Sequence, residues 1–149
     1  MKKPTGRAVL YMYLDGWWKL NGKEGKVGED EKNDLALKAI LETTAPKMQS
    51  VEDIKNYCAY IILLALHRLR TNNAFAAAGT LEQGLSLVSS LAQSVAKQLP
   101  RDVMWAALSL AESDHKRRND AKRQITTPDK PDNIRELEAY IRRHLPQLD

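Results

Sequence analysis

Apolar residues recur along most of the chain at steps of three and four, the spacing of helices that bury one side. The strongest such pattern is residues 51–70, VEDIKNYCAYIILLALHRLR. Ile54, Tyr57, Cys58, Ile61, Leu64 and Ala65 share one face. Tyr60, Ile62, Leu63, Leu66 and Leu69 widen it until the middle is apolar nearly all round. A helix of that kind needs neighbours on several sides, so it is expected at the centre of the domain. A bilayer span needs roughly 18 uninterrupted apolar residues. Lys55 and Arg68 flank a shorter run here, so the segment is read as a buried helix. Ser50 followed by Asp53 predicts a capping box at its start, with Arg68 and Arg70 suited to its negative C-terminal end.

Shorter patterns surround this one. Residues 31–44 predict a helix with Leu37, Ile40, Leu41 and Thr44 on one side, ended near Pro46. Thr80 and Gln83 form a capping-box pair for a helix over 80–99, with residues 74–79 as an extension or tight connection to it. Leu81, Leu85, Val88, Ala92, Val95 and Leu99 make its seam, and Gly84 and the nearby serines leave room for a close neighbour. That seam is expected to pack within the chain, in preference to a coiled-coil dimer. Residues 101–123 predict a helix with Met104, Ala107, Leu108 and Ala111 inward and a polar end beyond them. Residues 126–130 read as a linker. A last helix opens near Pro131, with Ile134, Leu137, Ile141, Leu145 and Leu148 as its stripe.

Residues 6–20, GRAVLYMYLDGWWKL, support two readings. As a helix, Val9, Leu10, Tyr13, Trp17 and Leu20 share a side, Thr5 caps the start and Asn21-Gly22 the end. As a hairpin, two aromatic strands flank Asp15-Gly16. An isolated hairpin is marginal and no third strand is offered, so the helix is the expectation. Residues 21–30, with three glycines and many charges, predict a flexible loop. The fold class that follows is all-α: a single domain over residues 1–149, a compact bundle of five to six helices around the central one.

Composition changes this picture little. The chain has 149 residues, 43% of them apolar and 28% charged, as an ordinary globular domain does. Its single cysteine, Cys58, excludes an internal disulfide, and a reducing cytoplasm is the expected home. Met1-Lys2-Lys3 resembles the start of an export leader, but no small-residue cleavage site follows, so export is not expected. The net charge of +4 permits a nucleic-acid partner without demanding one and argues against mimicry of DNA.

Charge placement yields two candidate surfaces. Lys116, Arg117, Arg118, Lys122 and Arg123 surround a helix end and could meet a phosphate backbone or an acidic protein. Against this stands a solvated helix terminus whose Asp114 and Asp120 supply intrahelical partners. The second surface is aromatic and basic: Trp17, Trp18, Lys19, Lys23 and Lys26, beside Tyr11 and Tyr13. Adjacent tryptophans on a helix diverge by about 100° and cannot both face one core, so one is expected near the surface, fit for a protein contact or for a base.

Catalytic signals are weak. Glu112-x-x-His115 is half of a di-iron motif and lacks its second pair. His67 has no matching acid, and no zinc set is present. The serines at 86, 89, 90 and 94 have no evident histidine, and the chain has no nucleophile elbow, P-loop or dinucleotide fingerprint. The expectation is therefore a non-enzymatic interaction protein (subunit, adaptor or inhibitor) docking on a larger assembly, with no cofactor, no metal and no membrane. The alternative is a helical protein that binds the nucleic-acid backbone with low sequence specificity.

Overall fold

The computed structural model describes residues 5–20, 23–26, 30–90, 101–115, 131 and 133–144. Among these are six α-helices and one two-stranded ribbon. They are α1 (Gly6–Leu14), β1 (Trp17–Leu20), β2 (Lys23–Lys26), α2 (Asp30–Thr44), α3 (Val51–Arg70), α4 (Ala74–Ser89), α5 (Arg101–His115) and α6 (Ile134–His144). The architecture is an all-α bundle, and no helix among the described residues is long and apolar enough to cross a membrane.

The capping box forms as its residues predict. Ser50 Oγ accepts from the Asp53 amide at 3.1 Å, and the Asp53 carboxylate accepts from the Ser50 and Gln49 amides. Those amides, Gln49 first and then the Ser50 groups, hold the Asp53 carboxyl below its ordinary range. Every residue of α3 from Tyr57 to His67 is buried. The helix meets α1, α2, α4, α5 and α6, so its all-round apolar middle finds a neighbour on each side. Gly84 of α4 lets three helices close up: a Cβ there would lie 2.9 Å from Ile61 Cγ2 and 3.1 Å from Met104 Cε.

Three boundaries differ from expectation. Residues 6–20 are neither one helix nor a hairpin about Asp15-Gly16. Thr5 caps α1, and Gly16, at φ +95°, ends the helical stretch in the left-handed region that favours glycine. The chain then turns into β1, and β2 takes the middle of the segment that its glycines and charges mark as loop. The α4 helix begins at Ala74, capped by Asn73, whose Oδ1 accepts from the Ala76 amide at 3.2 Å. Thr80 is therefore an interior residue and not a cap: its hydroxyl donates to Ala76 O at 2.8 Å and accepts from Arg68. Lastly, α6 starts after Pro131. Asn133 Oδ1 accepts from the Glu136 amide at 2.9 Å and does the capping. Residues 92, 95 and 99 of the predicted seam, the 126–130 linker, and Leu145 and Leu148 lie outside the described residues.

Candidate functional site: an aromatic hairpin held on the bundle

The ribbon pairs Trp17 with Lys26, Trp18 with Gly25, Lys19 with Glu24 and Leu20 with Lys23, antiparallel. Directly opposed positions share a face, and faces alternate along a strand. Positions 17, 19, 24 and 26 thus lie on one face and position 18 on the other. The core takes Trp18, which is 1% exposed, and leaves Trp17 50% exposed. The two indoles separate because strand neighbours point oppositely, not because helix neighbours diverge. In register, position 26 pairs with the exposed tryptophan and position 19 with position 24.

Trp18 ties the ribbon to a buried polar column. Its ring meets Tyr13 of α1 edge-on at 6.2 Å. The Tyr13 hydroxyl and His67 Nδ1 share a hydrogen bond of 2.7 Å, and the Arg70 guanidinium sits 4.7 Å over the tyrosine ring. Arg70 also donates to Glu138 of α6. Arg142 of α6 donates to Leu14 O and to the Asp15 carboxylate, each at 2.8 Å, at the bend between α1 and β1. Residues from α1, α3 and α6 therefore fix the place from which the ribbon leaves the bundle. The cost is one orphan: the Trp18 indole N–H is buried without an acceptor.

The sequence marks His67 as a lone histidine on an apolar helix. Its partner, Tyr13, lies 54 positions away, and no local spacing could reveal it. Arg68 and Arg70 read as cations at a helix end, which they are, but each also reaches an acid on another helix. Arg68 grips Asp34 of α2 at two points, 2.8 and 3.1 Å, and that bond holds the Asp34 carboxyl below its ordinary range in spite of its burial.

Nothing described here assembles a nucleophile. Burial pushes the Cys58 thiol up to about 12, far from the thiolate needed for attack. Ser89 and Ser90 donate to carbonyls of their own helix, at 2.7 Å each. Among the described residues no three of His, Cys, Asp and Glu converge as metal ligands would. The five cations Lys116, Arg117, Arg118, Lys122 and Arg123 lie outside the described residues. The structure thus places Trp17 with positions 19 and 26 on one face of the ribbon, and Trp18 with position 23 on the other. Comparison with protein-family models, with curated proteins and with solved structures found no match to the chain.

Proposed function

We propose that this chain is a non-enzymatic interaction protein, a subunit, adaptor or inhibitor that docks on a larger macromolecular assembly through the Trp17 face of its hairpin. The observation that carries this reading is Trp17 itself, half exposed on a ribbon whose next residue is locked into the core. A large aromatic surface that is already positioned loses little freedom on binding, which is why tryptophan anchors so many interfaces. The single buried cysteine supports a cytoplasmic setting for it.

The test is affinity capture with the tagged chain and its Trp17→Ser variant. A partner recovered at fixed stoichiometry by the wild type and lost with the variant supports the reading. A partner held equally by both removes the hairpin from it, and recovery of none sinks it.

A second reading rests on the same residue. An exposed tryptophan opposite a lysine is also a platform on which a base can stack beside a phosphate. Its other carriers would be the five cations at 116–118, 122 and 123. Binding to duplex and single-stranded DNA and RNA, at low and physiological salt, decides it. A nucleic-acid binder loses affinity steeply with salt and when those five cations become serine. Absence of binding at low salt eliminates it.

A further inference from the structure

Helix α6 packs one side on the bundle, through Leu137, Tyr140 and Ile141. Its outward side carries Arg135, Glu136, Ala139, Arg142 and Arg143, all exposed. Residues 135, 139, 142 and 143 follow the three-and-four spacing of one helix face, with Glu136 at the edge beside Arg143. Glu138, at the opposite edge, is already taken by Arg70. On α6 itself, three cations therefore face solvent against one acid.

Two of the three are held in place. Arg142 is fixed by Leu14 O and the Asp15 carboxylate. Arg143 lies over the buried Tyr140 ring, 5.7 Å from its centroid. A guanidinium set in position gives up little freedom when it binds a carboxylate. The third, Arg135, does nothing for the stability of α6. It stands in the first turn, where a cation opposes the helix dipole, and its side chain pairs with no acid among the described residues.

This arginine face adjoins the exposed tryptophan. Arg142 bonds to Asp15, two residues before Trp17, at the bend that leads into β1. Tryptophan and arginine are among the residue types that anchor interfaces most often. Ala139 lies between Arg135 and the Arg142–Arg143 pair, and its small side chain lets a helix lie close.

Resting on the docking role of Trp17, we propose that the partner is an acidic amphipathic helix of another protein, laid along α6. Carboxylates two turns apart on it meet Arg135 at one end and Arg142 and Arg143 at the other. An apolar residue at the Arg142 end covers Trp17. A nucleic-acid backbone fits this face less well. Glu136 and Asp15 interrupt the cations and repel a continuous row of phosphates, whereas a helix can space its carboxylates to match.

Amide chemical shifts followed during titration test it. The probe is an alanine-based helical peptide with glutamates two turns apart and a leucine one turn further on. Its controls are the same peptide with glutamine for glutamate, and a single-stranded oligothymidylate. The acidic peptide is expected to shift signals within residues 135–143 and 15–18, and to bind more weakly at physiological than at low salt. Arg135→Ser/Arg143→Ser should weaken it by about fivefold, the loss of two exposed charge pairs. Arg135→Glu/Arg143→Glu should lose the acidic peptide and bind a lysine version of it instead. The proposal is overturned by an absence of shifts, by shifts centred elsewhere, or by a glutamine or oligothymidylate probe that binds as well. Equal affinity in the serine variant also overturns it and leaves the docking role of Trp17 standing. Equal affinity in Trp17→Ser removes that role, and the proposal with it.

Discussion

Tyr13 and His67 share a hydrogen bond across the α1–α3 interface at 2.7 Å, with neither side chain exposed. The bond joins the first helix to the central one, and Trp18 and Arg70 pack on the same tyrosine ring. Tyr13→Phe keeps the ring contacts and removes only the hydroxyl. It leaves an imidazole nitrogen without that partner in a dry site, which costs about 1–3 kcal/mol. Urea unfolding should show a lower midpoint with an unchanged slope. A midpoint equal to that of the wild type would mean the bond contributes nothing net.

The Arg68–Asp34 pair predicts a pH dependence of definite sign. Arg68 lowers the Asp34 pKa from its ordinary 3.8 in the folded state. Such a group adds stability that is fully present above the unfolded pKa and is lost as pH falls through the folded one. Asp34→Asn should therefore be less stable than wild type by a constant amount from neutral pH down to about pH 5. The gap, about 1 kcal/mol for a half-buried pair, should close as the pH drops below 3.8. Thermal melts across that range check it, and a gap that widens in acid contradicts the assignment.

Two glycines of α4 should respond oppositely to alanine. Gly79 has nothing within 4 Å of where a Cβ would stand, so Gly79→Ala gains helix propensity and should stabilise by about 0.5–1 kcal/mol. Gly84→Ala would place its Cβ 2.9 Å from Ile61 Cγ2. Overpacking costs about 1–3 kcal/mol and outweighs the same gain, so that variant should be destabilised. Two melting curves suffice, and a rise in both would show that the α3–α4–α5 contact has slack.

Cys58 should be inert to disulfide reagents at neutral pH while the chain is folded. Its thiol is fully buried and its pKa stands at about 12. Modification should proceed only through opening of the bundle and should slow as denaturant is removed. Rapid labelling in native buffer would place the thiol nearer the surface.

How far the chain could be read in advance depended on where each residue's partner lies. The α3 boundaries are visible because their causes are local: a capping box, an apolar middle, and the cations Arg68 and Arg70 in the last turn. Residues 6–20 misled because two local signals are both true of different halves. The three-and-four pattern holds through Leu14, and the aromatic strand begins at Trp17. Thr80 and Gln83 have capping-box spacing, but Asn73 had already started the helix, and Arg68 claims the Thr80 hydroxyl. The Tyr13–His67, Arg70–Glu138 and Arg68–Asp34 ties join positions 54, 68 and 34 apart. Spacing along one helix carries no trace of such pairs. The exposed Trp17 was half legible: two adjacent tryptophans announce that one must leave the core, but only the strand decides which.

The hydrogen bond from Arg142 to Leu14 O spans 128 positions, and that has a consequence for biosynthesis. In synthesis α1 precedes the arginine that fastens its end by those 128 positions. Throughout that interval the hairpin has its tryptophans but not its latch. Fastening of the bend that carries the ribbon is thus completed only after α6 has been made.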